Sequence, residues 1–243
     1  SVTVEAACEN TPDGTEVLFA IEGVGEQTAA VQGGKAVTVF HMENVHLWDG
    51  VTDPYLYSIA ASLPGGDAVA VHFGCRKIDF KPDTGFWLNG RNVRLVGAAR
   101  HQDRAGLGNA LTTAEHEEDM QILRDMGANT VRLAHYQHAQ YFYDLCDKYG
   151  LVAWAEIPYI TEHMPEATAN TLSQMEELVL QNYNHPSIIC WGLSNEITVT
   201  TGVTENLTAN HRLLNDLCHR LDATRPTTMA HAFMLDPNDP FVQ

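Results

Sequence analysis

The pattern of hydrophobic and polar positions divides the chain near residue 82. Before that point, short segments alternate between apolar and polar residues, and turn-forming sequences such as Pro12-Asp13-Gly14 separate them. A period of two residues with regular turns is typical of antiparallel strands. We therefore predict an immunoglobulin-like β-sandwich over residues 1–82. Its clearest strands are predicted at residues 16–21, 36–42, 55–61 and 68–73.

From residue 83 onward, apolar strands alternate with amphipathic helices. Thr112 and Glu115 have the spacing of a capping box, which predicts the start of a helix that ends at Gly127. Strands that are apolar on both faces and alternate with helices indicate a parallel sheet. Further helices are predicted at residues 139–149, 172–183 and 207–221, and strands at 93–96, 130–134, 151–157, 188–193 and 227–233.

The alternation of strands and helices is shared by two folds with parallel sheets. An open doubly wound sheet usually carries a glycine-rich phosphate loop after its first strand, but Gly106-Leu107-Gly108 lacks the third glycine and follows a polar run. A (β/α)₈ TIM barrel fits better, although it has eight strands in about 250 residues. We therefore predict a multi-domain β and α/β chain, in which residues 83–243 are the N-terminal five β/α units of a truncated TIM barrel.

The composition is acidic and makes some partners unfavourable. With 14 basic and 31 acidic side chains the formal net charge is −17, so we expect no nucleic-acid or anionic membrane partner. No segment approaches the roughly 20 apolar residues of a membrane span, and residues 1–5 do not resemble a signal peptide. Five scattered cysteines without a CxxC motif predict free thiols. They favour a cytoplasmic location slightly over a periplasmic one.

Polar or ionisable residues follow each predicted strand of the second half. In a barrel, the C-terminal strand ends lie on one face and converge on one pocket. A carboxylate at the end of a buried strand has little structural use, so the run Cys190 to Glu196 is the most informative of these segments. The candidate site residues are His101, Asp103, His135, Glu156, Asn195 and Glu196.

Other chemistries are less well matched. The sequence Gly192-Leu193-Ser194-Asn195-Glu196 differs from the G-x-S-x-G nucleophile elbow in its last residue. The segment 116–120 is not H-E-x-x-H and begins a predicted helix, so a zinc site there is not favoured. Glu156, Glu162 and His163 are weak candidates for a Mg²⁺ site, because Mg²⁺ binds few protein oxygens and several waters.

Around Asn195-Glu196 the chain resembles glycoside hydrolase family 2. The motifs that carry the resemblance are residues 184–189 with Trp191, residues 47–57, residues 86–101, residues 129–136 and residues 145–156. The resemblance covers nearly the whole chain, and residues 100–103 look more like the β-galactosidase branch than the others. It implies an immunoglobulin-like sandwich followed by a catalytic barrel, as expected above.

The resemblance also implies roles for individual residues. It makes Glu196 the general acid/base, Asn195 the group that binds the sugar 2-hydroxyl, and His101 and His135 part of the sugar site. The family's nucleophile is a glutamate on a later strand, to which no residue of this chain corresponds. The β-galactosidase magnesium motif is Glu-x-His, whereas Glu162 and His163 are adjacent.

The expected function is therefore that of a retaining β-galactosidase in the full-length parent. This chain alone would be inactive, and its open barrel edge would favour self-association or a homo-oligomer. The expected partner is a carbohydrate, and no cofactor is required apart from a possible Mg²⁺. The alternatives are a β-glucuronidase of the same family, a non-catalytic carbohydrate-binding fragment and a purely structural fragment.

Overall fold

The computed structural model describes residues 1–232. Its first part consists of two antiparallel sheets, one of two strands in the order β1-β4 and one of four in the order β3-β2-β5-β6. Alternate residues such as Val17, Phe19 and Ile21 are buried and form a shared core with residues of the other strands. The strands are β1 (Val2–Ala7), β2 (Glu16–Ile21), β3 (Gly25–Ala30), β4 (Lys35–Phe40), β5 (Tyr57–Ser62) and β6 (Ala68–Phe73).

The predicted alternation is thus found, although β3 was missed and β1 was predicted only as an unbounded strand before the turn at residues 12–14. Strands β2 and β6 have the predicted bounds, and β4 and β5 differ from the prediction by one or two residues at each end. The assignment of these sheets as an immunoglobulin-like sandwich, and of residue 82 as a domain boundary, stays a prediction.

A three-stranded antiparallel sheet precedes the parallel one. It contains β7 (Ile78–Lys81), β8 (Gly85–Leu88) and β9 (Arg91–Asn92), in the order β7-β8-β9. Asn89 and Gly90 connect β8 to β9 with φ of 51° and 80°, the left-handed conformation that such hairpin turns need. The hairpin predicted from Asn89-Gly90 is therefore confirmed.

The second part is a five-stranded, all-parallel sheet whose strands follow chain order. A doubly wound sheet would reverse its strand order at a switch point, so the observed order is that of a barrel wall. The strands are β10 (Gly97–Arg100), β11 (Thr130–Leu133), β12 (Val152–Glu156), β13 (Ile188–Asn195) and β14 (Thr227–Ala230), and the helices are α1 (Thr113–Asp125), α2 (Gln140–Tyr149), α3 (Thr168–Asn182), α4 (Thr198–Thr201) and α5 (Glu205–Leu221).

The first barrel strand was predicted in the wrong place. Residues 93–96 lie in the connection, and the strand is Gly97–Arg100. A Cβ on Gly97 would lie 1.8 Å from the Thr130 carbonyl oxygen, so this close pairing with β11 requires a glycine. The fifth strand ends at Ala230, and the rest of its predicted range, from residue 233, lies outside the described residues.

Helix ends follow the predicted local chemistry. Thr112 caps α1, and Glu115 completes the capping box by accepting a hydrogen bond from the Thr112 backbone N–H. Gly150 ends α2 in the left-handed conformation, and its N–H donates to the Cys146 carbonyl. The helices cover one face of the sheet and bury Val131, Leu133 and the rest of the largest apolar cluster.

Side chains from both parts meet in a separate apolar cluster. Trp48, which is fully buried, packs with Phe86 and Leu88 against Val152 and Ile189 of the parallel sheet. The Trp48 indole N–H donates to the Asp147 carbonyl at 2.9 Å. The antiparallel sheets and the barrel wall are therefore held together by packing and by a buried hydrogen bond.

All five cysteines are free. Within residues 1–232, no helix combines the length and the apolar character needed to cross a bilayer.

Candidate active site

Three neighbouring parallel strands supply the centre of the site. In β11, Val131 and Leu133 pack against the helices, so alternation places Arg132 on the opposite face of the sheet. Glu156 is the last residue of β12, and Asn195 is the last residue of β13. Because these strands are adjacent and parallel, their C-terminal ends bring the three side chains together.

Arg132 binds both of its neighbours. Its guanidinium donates to Glu156 through Nε to Oε2 at 3.0 Å and Nη2 to Oε1 at 2.9 Å, and Nη2 also donates to Asn195 Oδ1 at 2.6 Å. Glu156 is 1% exposed, and a buried carboxylate needs such a charged partner. The guanidinium also lies over the Trp154 ring, 4.8 Å from its centroid.

Two of the predicted histidines join this network. His135 Nδ1 lies 2.9 Å from Glu156 Oε1 and donates to it. His101 follows β10, and its ring is edge-on to that of His135 with centroids 4.9 Å apart. Asp103 lies exposed in the loop after β10 and is not part of the network. The structure thus brings together His101, His135, Glu156 and Asn195 and leaves Asp103 beside them.

Glu196 occupies a corner directly after β13. Its φ is 47°, in the left-handed region that non-glycine residues rarely adopt. Its N–H donates to the Ala230 carbonyl at 2.8 Å, and the Asn195 N–H donates to the Tyr159 carbonyl at 2.9 Å. Glu196 is exposed whereas Glu156 is buried, so of these two glutamates Glu196 has the carboxylate that a substrate can reach.

A glycine makes room for Glu156. A Cβ on Gly192 of β13 would lie 2.5 Å from Glu156 Cβ and 2.5 Å from Trp154 Nε1. Close approach of β12 and β13 therefore depends on the absence of a side chain at residue 192, and it sets the position of the buried carboxylate.

A second polar network supports the backbone before His135. Arg100 Nη1 donates to His138 Nδ1 at 3.0 Å, and His138 Nε2 donates to the Ala134 carbonyl at 3.1 Å. Burial lowers the pKa of His138 to about 3, so this ring stays neutral at ordinary pH. Burial also lowers the pKa of His116, which accepts from Arg100 Nη2 at 2.9 Å.

The residues suggested for Mg²⁺ do not lie together with metal-ligand spacing. Both oxygens of Glu156 are bonded to Arg132 or His135, and Glu162 is exposed. His163 is buried, with Nδ1 2.5 Å from the Tyr159 hydroxyl and Nε2 2.5 Å from Asn206 Oδ1. Among residues 1–232, the group with metal-ligand spacing is Asp144, Asp147 and His185, which lies before β13 and away from this site.

Sequence reasoning missed Arg132 as a site residue. The signal was present, since an arginine between Val131 and Leu133 in a buried strand needs a partner on the other face. Glu156 was predicted as a strand-end site residue and a weak Mg²⁺ candidate, but not as the partner of Arg132.

Comparison with known proteins identifies the family. Residues 81–238 match the family model described as "Glycosyl hydrolases family 2, TIM barrel domain". The chain belongs to glycoside hydrolase family 2. As a family 2 chain it has the partial TIM barrel that its sequence predicted, with the Asn195-Glu196 pair at the end of the fourth barrel strand.

Relatives carry two names. A β-glucuronidase from Bacteroides fragilis is 43% identical over 78% of this family 2 chain and 29% of its own length. A β-galactosidase from Thermoanaerobacterium thermosulfurigenes is 33% identical over 90% of this chain and 30% of its own length. The crystal structure of an FMN-binding β-glucuronidase from Facaelibacterium prausnitzii L2-6 superposes with a TM-score of 0.85, at 38% identity over 96% of this chain and 38% of that chain.

The chain spans less than a third of the length of the two curated relatives. The order of identity puts the β-glucuronidase ahead of the β-galactosidase, so the alternative substrate class is supported better than the β-galactosidase prediction.

Proposed function

We propose that the protein containing this chain hydrolyses terminal β-glycosides with retention of configuration, and that Glu196 is its general acid/base. The observation that carries the proposal is the Asn195-Glu196 corner, where Arg132 holds the Asn195 amide oxygen at 2.6 Å. That contact leaves the Asn195 NH₂ group to donate to a sugar hydroxyl. His101 and His135 are in ring contact beside the same network.

The substrate class we propose first is a β-glucuronide. The support is the 43% identity to a β-glucuronidase and the structural similarity to a second one. A β-galactoside is the second candidate, because the 33% identical β-galactosidase is similar over 90% of this chain. The partner is in both cases a carbohydrate.

The proposed chemistry needs two carboxylates about 5–5.5 Å apart. Glu196 would protonate the leaving oxygen as the glycosidic bond breaks and then remove a proton from the attacking water. Glu156 is unsuited to be the nucleophile, because its oxygens are engaged by Arg132 and His135. We propose that the nucleophile lies outside these 243 residues and that the chain by itself is inactive.

The remaining expectations are proposals of the same kind. We propose an immunoglobulin-like sandwich for residues 1–82 and the first five barrel units for residues 83–243. Within residues 1–232, β10 and β14 are the outermost strands of the parallel sheet, and we propose that their outer edges pair with further strands or with another copy. A cytoplasmic location stays a prediction from the cysteines, and the absence of nucleic-acid and membrane partners stays a prediction from the charge. The absence of a required cofactor stays a prediction as well.

The test uses the full-length protein with 4-nitrophenyl β-glucuronide and 4-nitrophenyl β-galactoside. Glu196→Gln should lower turnover of the preferred substrate by about 10² to 10⁴-fold. Glu205→Gln, an exposed glutamate in the first turn of α5, is the matched control and should retain activity. Unchanged turnover in Glu196→Gln would refute the assignment, and the ratio of the two substrates decides between the two classes.

A further inference from the structure

A short segment after β12 holds the Asn195-Glu196 corner in place. Residues 159–161 lie alongside the end of β13, where the Asn195 N–H donates to the Tyr159 carbonyl at 2.9 Å and the Thr161 N–H donates to the Asn195 carbonyl at 3.0 Å. Ile160 forms a parallel bridge with Asn195. The backbone of the proposed catalytic corner is therefore fixed by this segment.

Two non-glycine residues here, one at the corner and one in the neighbouring segment, have a left-handed backbone conformation. Glu196 has a φ of 47°, and Thr161 has a φ of 65°. Non-glycine residues remain in this left-handed region only where the surrounding structure determines them. The segment 159–161 therefore requires side chains that anchor it.

Tyr159 and His163 provide that anchor. Asn206 of α5 presents its Oδ1, which can only accept, to His163 Nε2 at 2.5 Å, so Nε2 carries the proton. In the neutral ring Nδ1 is then an acceptor, and the Tyr159 hydroxyl donates to it at 2.5 Å. Burial raises the pKa of Tyr159, which keeps its hydroxyl protonated for this role. A directed chain of hydrogen bonds runs from Tyr159 through His163 to Asn206.

Helix α5 also contacts β13 directly, through Ser194 on the face of the sheet that packs against the helices. His211 Nδ1 donates to the Leu207 carbonyl at 3.0 Å, so Nε2 accepts from the Ser194 hydroxyl at 2.8 Å. Helix α5 is thus linked to the residue before Asn195 and, through His163, to the segment beside it.

We propose that Tyr159 and His163 are positioning residues for Glu196, with α5 as the support. Neither side chain binds substrate or metal, since both are buried and bonded to each other and to α5. If this chain of hydrogen bonds were lost, residues 159–161 could change conformation, and the backbone at Asn195-Glu196 would lose its geometry. This inference rests on the proposed role of Glu196.

The prediction concerns proton donation more than binding. A displaced general acid slows the cleavage of poor leaving groups, which need a proton, far more than that of good ones, which leave as anions. A purely structural loss would instead lower the amount of active protein and would slow all substrates equally. The dependence of kcat/KM on the leaving group therefore separates positioning from folding.

The experiment compares phenyl and 2,4-dinitrophenyl glycosides of the preferred sugar in the full-length protein. Tyr159→Phe and His163→Leu should lower kcat/KM for the phenyl glycoside by about tenfold to a hundredfold, the scale of a misplaced catalytic group, with little change for the dinitrophenyl glycoside. His163→Asn keeps an acceptor near the Nδ1 position and should recover part of the phenyl activity lost in His163→Leu.

The control is Tyr57→Phe. It removes a different hydrogen-bonded tyrosine hydroxyl, one that accepts from the His46 N–H at 2.8 Å in the antiparallel part, and it should leave the leaving-group dependence unchanged. Equal loss on both substrates in Tyr159→Phe and His163→Leu, or no loss, would overturn the positioning role. Glu196→Gln must show the same selective loss, and its failure to do so would instead overturn the proposed function.

Discussion

Removal of the Arg132 charge should destabilise the barrel wall strongly. In Arg132→Met, the Glu156 carboxylate keeps its burial, at 1% exposure, but loses two charged hydrogen bonds of 3.0 and 2.9 Å. Removing one partner of a buried ion pair costs about 3–5 kcal/mol. Because the Arg132 side chain is 23% exposed, water can reach part of the site, and we expect the lower end, about 3 kcal/mol.

Hydrogen exchange measured by mass spectrometry on the full-length protein is the appropriate assay. It reports the local free energy of opening of β11 to β13 without requiring that all domains unfold together. Arg94→Met is the matched control, since Arg94 is exposed in the connection before β10, and it should change this free energy by less than about 0.5 kcal/mol.

A double-mutant cycle tests the cause of the loss. Glu156→Gln removes the buried charge, so Arg132→Met should cost about 2 kcal/mol less in that background than in the wild type. An equal cost in both backgrounds would refute the charge argument and would leave packing over Trp154 as the explanation.

Three further predictions follow from other parts of the molecule. Gly192→Ala should disrupt the close approach of β12 and β13, because its Cβ would lie 2.5 Å from Glu156 Cβ. The free energy of opening of these strands, measured by hydrogen exchange, should fall by at least about 2 kcal/mol. Protection equal to that of the wild type would contradict this prediction. Burial lowers the pKa of His138 to about 3, so below about pH 6.5 the unfolded state alone binds this proton. This one group should therefore lower the free energy of unfolding by at most about 1.4 kcal/mol per pH unit from pH 6.5 towards pH 4. Burial also lowers the pKa of His211 to about 4, so His138→Asn should reduce the pH dependence of Tm without abolishing it, and an unchanged dependence would count against the prediction. Thr112→Ala should lower the free energy of unfolding by about 1 kcal/mol, because the N-cap of α1 is lost, whereas Thr112→Ser should lower it little. Equal Tm values for the two variants would argue against a capping role of Thr112.

The barrel units were largely predictable because their signals are local. The capping box of Thr112 and Glu115 and the glycine at residue 150 identify helix ends, and the apolar strands are read directly from their composition. Strand β3, Gly25–Ala30, was missed because it has no apolar run and forms only through pairing with β2. The first barrel strand was misplaced because the apolar residues 93–96 precede it, whereas Gly97 is needed for contact with Thr130.

The positions of the site residues could be predicted from the sequence, but their hydrogen-bond partners largely could not. Strand ends identified His135, Glu156 and Asn195, which the structure brings together through Arg132. The interaction of Arg132 with residues 24 and 63 positions away along the chain leaves no local pattern. His163 shows the same limit, because both of its ring nitrogens are engaged by Tyr159 and Asn206, and only the fold brings these residues together.

The buried Trp48 indole has a consequence for how the polypeptide can be divided. A shorter chain that began at residue 83 would keep Val152, Ile189 and the Asp147 carbonyl but would lose the ring that fills the space between them. Val152 and Ile189 would then be exposed to water on the face of the sheet opposite the helices. The strands before residue 82 thus complete the interior of the second part, and the barrel wall keeps its packing only together with them.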